Sequence, residues 1–166
     1  NKATSLQDGG AVYGGAESTT TLRAQNKDMT IGTSTSITDG TDSISLYGTA
    51  GTVTSPTDKI ATANLQAADS KTLTINSNIT GNNLANGTQL SVININDKYT
   101  DKNGTTYTSN GTVKINGNAK ITNSTINIKN GTLAFAHDSG LGNAANRTNI
   151  LNLYGGTLDL LNNEYS

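Results

Sequence analysis

His137 stands beside Asp138. An imidazole next to a carboxylate can act as a general-base unit. It is the single histidine among 166 residues, so any chemistry that needs imidazole has to be built there. Two physical points weigh against it. Neighbouring residues on an extended chain point to opposite sides, and Asp138 precedes Ser139-Gly140, a combination that forms turns. The pair reads as a turn.

Other candidates meet similar objections. Gly32-Thr33-Ser34 has the residues of a nucleophile turn in subtilisin-like proteases, but neither a second histidine region nor a preceding aspartate motif accompanies it. Asp39-Gly40-Thr41-Asp42-Ser43 spaces carboxylates so that they can hold Ca²⁺ through oxygen. That sequence occurs once, whereas a calcium-binding nonapeptide repeat needs tandem copies. Cleavage of a polysaccharide needs clustered carboxylates on one face, often with arginine. The 12 acidic residues are scattered, and Arg23 and Arg147 are the two arginines. With no Cys, disulfides, thiolate metal sites and a Cys nucleophile are excluded. The residues thus assign no catalytic, metal or cofactor site, and they leave the ligand-binding residues open.

The elements that would position any site are carried by a recurring phrase. Gly-Thr, an aliphatic residue, one residue and an apolar residue recur at Gly111–Ile115, Gly131–Phe135 and Gly156–Leu160. A weaker copy is Lys71–Ile75. The apolar positions 53, 73, 93, 113 and 133 stand 20 residues apart, and the next step, to 158, is 25. A fixed period in this range marks a solenoid, in which each repeat buries its apolar face against its neighbours. Within one period, Thr112–Ile115, Ala119–Ile121 and Ser124–Ile128 read as short strands between turns at Asn116–Asn118, Thr122-Asn123 and Asn130-Gly131. The competing reading of Asn-Gly between alternating strands is a hairpin meander. A meander has no reason to return to one phrase at a fixed interval. The expectation is an all-β, right-handed parallel β-helix with three sides and about seven rungs.

Residues 1–166 form one domain, with less regular rungs over 1–50 and regular ones of 20–25 residues over 51–161. In the first part the strand candidates are Ala11–Tyr13, Thr20–Arg23, Met29–Ile31 and Ser43–Tyr47. Lys59–Ala68 has the alanine and leucine content for one or two helical turns. Residues 97–110 read as a protruding loop or the remaining sides of a rung, and 137–147 as a loop. Strands resume at Asn149–Leu153 and Thr157–Leu161.

Composition bounds the rest. Asn (23), Thr (28) and Gly (18) dominate, and hydrophobic residues make up 33%. A net charge of -1 neither drives the chain apart nor gives it the basic footprint of a nucleic-acid binder. No apolar run reaches the roughly 18 residues of a membrane helix. Asn can stack rung on rung in hydrogen-bonded ladders, and Thr suits a half-exposed pleated surface. Such an array of amides and hydroxyls can also face a glycan or a second helix. Seven Asn-x-Ser/Thr sequences, at Asn78, Asn86, Asn103, Asn110, Asn123, Asn130 and Asn146, follow from composition. Neither end looks like the cap a solenoid needs, so the chain reads as a segment of a longer protein.

Residues Ser124–Phe135, then Ser139–Gly142, then Leu151–Leu160 resemble the autotransporter-associated β-strand repeat. In that family a Gly-Gly-Thr-Leu strand precedes a loop ending Ala-Leu-Gly and then a further Asn-Gly-Gly-Thr-Leu strand. Here Gly140-Leu141-Gly142 replaces Ala-Leu-Gly, and Asn130-Gly131 lacks the doubled Gly. Gly9–Tyr13 is similar to the Gly-Gly-Ala-Val motif of polymorphic outer-membrane proteins. The resemblance covers about a quarter of the chain. It implies a non-catalytic, extracellular passenger on a Gram-negative surface, exported by type V secretion. Its implied roles are adhesion, self-association or biofilm formation. The implied partners are a second copy, a host glycan or a matrix protein, with membrane contact only through a C-terminal translocator. Residues 97–109 and 137–147 are the favoured binding loops. The alternatives are a polysaccharide-degrading enzyme on the same fold and a stalk that serves secretion.

Overall fold

The computed structural model describes residues 11–32, 43–116, 119–136, 140–141 and 148–160. The chain winds through three ladders of parallel strands. The first stacks β1 (Ala11–Gly14), β4 (Ser43–Leu46), β7 (Asn78–Thr80) and β12 (Ile121–Thr122). The second stacks β2 (Thr19–Ala24), β5 (Ala61–Ala67), β8 (Ser91–Ile95), β13 (Thr125–Ile128) and β15 (Ile150–Leu153). The third stacks β3 (Met29–Ile31), β6 (Thr72–Ile75), β11 (Thr112–Ile115), β14 (Thr132–Phe135) and β16 (Thr157–Asp159). Four successive turns visit the ladders in that order, and β15 and β16 extend the second and third, which makes a three-sided parallel β-solenoid. Between β8 and β11 the chain leaves the stack as an antiparallel hairpin of β9 (Tyr99–Thr100) and β10 (Thr106–Tyr107).

The strand candidates of the first 50 residues fall within a residue or two of β1 to β4, because each is a short alternating run between turn formers. Three expectations differ. The repeat does not have a uniform 20-residue step. Leu73 pairs with Val113, twice the expected distance along the chain, and Val113 with Leu133. Ile93 belongs to the second ladder, between Ala63 and Ile126. Val53 belongs to no strand and is fully exposed, at the tip of an excursion closed by a Thr49–Lys59 bridge. Secondly, the longer ladders hold five strands each among the described residues, not seven, because the excursions lengthen the turns. Thirdly, Lys59–Ala68 carries no helix. Its alanines alternate, so Ala61, Ala63, Leu65 and Ala67 point inward along β5 while Thr62 and Asn64 face out.

The core is one column of aliphatic side chains. Ile44, Leu46 and Ile79 come from the first ladder, Leu65, Ile93, Ile95 and Ile126 from the second, and Leu73, Ile75, Ile115 and Leu133 from the third. All are essentially inaccessible. Each such side chain contributes about 1.5–3 kcal/mol on burial. The recurring Gly of the Gly-Thr phrase has a steric cause. Gly131 has φ 59°, and a Cβ there would stand 2.3 Å from the Gly111 carbonyl oxygen of the turn below. At Gly111 it would meet the Ala68 and Lys71 carbonyls. Only glycine lets successive turns close so tightly at this corner.

The outward face of the second ladder carries an amide ladder. Asn94 Nδ2 donates to Asn64 Oδ1 (3.1 Å), Asn127 Nδ2 to Asn94 Oδ1 (3.0 Å) and Asn152 Nδ2 to Asn127 Oδ1 (3.0 Å). These bonds run along the stack and tie four turns together side by side.

Candidate functional site: a cleft beside the tyrosine hairpin

β2 alternates, so Leu22 and Ala24 turn inward and Thr21 and Arg23 face out. One strand along the ladder, the outward Gln66 of β5 pairs with Arg23. Gln66 is nonetheless fully buried, because the β9–β10 hairpin folds back over it. Its Nε2 donates to the Asp97 carbonyl (3.1 Å) and its Oε1 accepts from Arg23 Nη1 (3.1 Å). Arg23 also donates from Nη2 to the Thr108 carbonyl (3.0 Å), from Nη1 to Ser109 Oγ (2.5 Å) and from Nε to Gln25 Oε1. Four of its five N–H groups are therefore bound within the chain. Its guanidinium carbon lies 5.3 Å from the Tyr99 ring centre and 5.8 Å from that of Tyr107. Burial lowers the Arg23 pKa, and Tyr99, Asp69 and Tyr107 oppose that shift. A guanidinium stays charged regardless.

The hairpin is folded by its own turn. Asp101 Oδ1 accepts from the Asn103 N–H (2.8 Å) and the Thr105 N–H (3.0 Å), and Gly104 takes φ 82°. Asp101 Oδ2 accepts from Tyr107 Oη (3.2 Å). The Thr105 backbone N–H, with those of Asn103 and the Tyr107 hydroxyl, holds the Asp101 carboxyl below its usual range. The Asp101 charge in turn raises the Tyr107 phenol. Tyr99 and Tyr107 face each other across the two strands, with ring centres 5.9 Å apart and planes inclined by 28°.

A cleft of about 380 Å³ opens between this hairpin and β2, lined by Thr21, Arg23, Gln25, Tyr99, Asp101 and Tyr107. The Gln25 amide nitrogen and the Tyr99 hydroxyl have no partner among the described residues. Asp101 is the single carboxylate in the lining. The arrangement offers aromatic surface, one fixed negative charge and free amide and hydroxyl groups, which suits binding.

Residues 97–109, the favoured binding loop, supply three of the six lining residues. Of the loop at 137–147, only Gly140 and Leu141 are described, and Gly140 packs on the Phe135 ring. His137, Asp138, Thr33, Ser34, Asp39–Asp42, Asn146 and Arg147 lie outside the described residues. Gly32 closes β3 with φ 85°, and Ser43 opens β4. Sequence reasoning missed Arg23, Thr21 and Gln25. A signal was present: Tyr99 and Tyr107 stand four residues either side of Asn103, with Gly104 beside it, the mark of a hairpin of odd loop length with tyrosines opposed. Nothing in the sequence says that this hairpin folds back onto β2. Among the described residues no group of three or more His, Asp or Glu could hold a metal ion. No helix there is long and apolar enough to cross a membrane. A scan against protein-family models gives no match, and searches of curated proteins and of solved structures give none either.

Proposed function

We propose that this chain is a segment of an extracellular, surface-displayed passenger of the autotransporter type, acting in adhesion, self-association or biofilm formation without catalysis. The observation that carries the reading is the hairpin bolted by Arg23 onto a rigid stack, beside a cleft with tyrosine walls. Recognition groups mounted on rigid strands are held more accurately than groups on free loops. The stack itself suits extension from a surface, since each turn contacts its neighbours and length is added turn by turn. A right-handed winding is part of this reading, because parallel crossovers take that hand. So is the flat face of amides and hydroxyls on the second ladder, where many weak polar contacts add along a rod.

The test is a display assay. The parent protein, with residues 98–108 present or removed, is expressed on a non-adherent bacterium. It is then scored for display, autoaggregation and binding to glycans and matrix proteins. The proposal expects intact display with aggregation or binding lost. Lost display, or no change in either, would make the segment a stalk or secretion scaffold.

A further inference from the structure

We infer that the cleft between the β9–β10 hairpin and β2 is a binding site for a neutral saccharide of about two sugar units. This deepens the adhesive reading above and depends on the segment being a binding element rather than a scaffold.

Charge selects the ligand class first. Arg23 and Asp101 both line the cleft, so its formal charge balances. Arg23 has four N–H groups engaged within the chain and offers no open fork for a carboxylate, sulfate or phosphate. The ionised Asp101 repels an anion further. A cation is disfavoured too, since the guanidinium already lies against both tyrosine rings. What remains is a neutral ligand.

Surface chemistry selects within the neutral ligands. An apolar molecule would take the Asp101 charge out of water and bury the Gln25 amide N–H groups without partners, which is costly. A sugar ring has both kinds of surface. Its C–H face suits the negative face of a tyrosine ring, and its hydroxyls match Asp101 as acceptor and the Gln25 amide as donor. Thr21 adds a hydroxyl. The volume lies at the small end of ligand sites. The frame costs little ordering on binding, because Asp101 and Tyr107 are already hydrogen-bonded to one another.

The experiment titrates the purified chain with lactose, maltose, cellobiose and di-N-acetylchitobiose. A sulfated heparin disaccharide and choline serve as charged probes. Saturation-transfer NMR and tyrosine fluorescence report binding. At least one neutral disaccharide is expected to bind with a Kd on the order of 1 mM. Tyr107→Ala and Gln25→Ala should each weaken it about tenfold. Gln25 lies outside the hairpin, so Gln25→Ala carries the test even if Tyr107→Ala loosens the hairpin. The inference is overturned if no neutral disaccharide binds, if only a charged probe binds, or if both variants bind like the parent. These outcomes are independent of the display assay. A chain that binds sugar but leaves adhesion unchanged would refute the adhesive role alone, and a chain that mediates adhesion without binding sugar would refute this site alone.

Discussion

The Arg23 guanidinium carbon sits 5.3 Å from the centre of the Tyr99 ring, which joins a strand of the first turn to an excursion from the third. The contact is one of several on the same side chain, which also holds Thr108 and Ser109 just after β10. Arg23→Ala should therefore cost about 1.5–3 kcal/mol, the range for bonds to a charged donor. It should also free the hairpin, so that trypsin cuts at Lys98 and Lys102 well before the stack unfolds. Arg23→Lys should restore little, because an ammonium lacks the planar fork that reaches Gln66, Ser109 and Thr108 together. Unchanged protease resistance in Arg23→Ala would show that the hairpin is held some other way.

A second expectation concerns pH. The folded Asp101 carboxyl titrates below its unfolded value. Its contribution is present above the unfolded carboxylate pKa and is lost as pH falls through the folded value. The Tyr107 phenol is raised, so its contribution is present below the unfolded phenol pKa and is lost as pH rises through the folded value. The Tyr107 resonances should therefore stay constant across the neutral range and move only below the usual carboxylate range and above the usual phenol range. Asp101→Asn should abolish the acid step and bring the phenol back toward its ordinary value. A shift of Tyr107 near neutrality would contradict the hydrogen bond to Asp101.

The register is open to a direct contrast. Val53 and Ile93 are in one phase by sequence spacing, yet Val53 is fully exposed and Ile93 fully buried. Val53→Asp should change stability by less than about 0.5 kcal/mol. Ile93→Asp and Leu133→Asp should each cost several kcal/mol and prevent cooperative melting, because each puts an unpaired charge into a narrow core. Equal effects at 53 and 93 in a thermal melt would reject the ladder assignment.

The same pair of residues shows where sequence legibility stopped. Alternation of apolar and polar residues is a local signal. It marked Thr112–Ile115 and Thr132–Phe135 with the bounds that β11 and β14 have, and it implied three strands per turn. The length of a turn is not local. A corner can be as short as Asn123-Ser124, where Asn123 takes φ 54°, or it can send out an excursion such as Thr49–Lys59 or the β9–β10 hairpin that follows Asn96. The phrase at 71–75 and the one at 111–115 are adjacent in space despite the distance in sequence. Ile93 keeps the spacing only because its own turn happens to place it there. At Lys59–Ala68 the alanine content suggested helix, but propensity is weak beside the burial gained by one alternating face. The cleft was half legible. Its hairpin wall follows from Tyr99, Asn103-Gly104 and Tyr107, whereas the wall from β2 depends on a fold-back that no local pattern encodes.

The amide ladder gives a prediction that depends on a shared bond. Asn94 bonds to Asn64 and to Asn127, and Asn127 bonds also to Asn152. Asn94→Ala and Asn127→Ala each remove two bonds, so each should cost about 1–2 kcal/mol on a half-exposed face. The Asn94–Asn127 bond is counted in both. The double variant should therefore fall short of the sum by about the net worth of one hydrogen bond, roughly 0.5–1.5 kcal/mol. Asn152→Ala removes a single bond and should cost least of the three. Urea unfolding of the four variants measures every term. A double variant whose cost equals the sum of the singles would mean that Asn94 and Asn127 do not touch, and that these turns are held in line by the backbone ladder and the core alone.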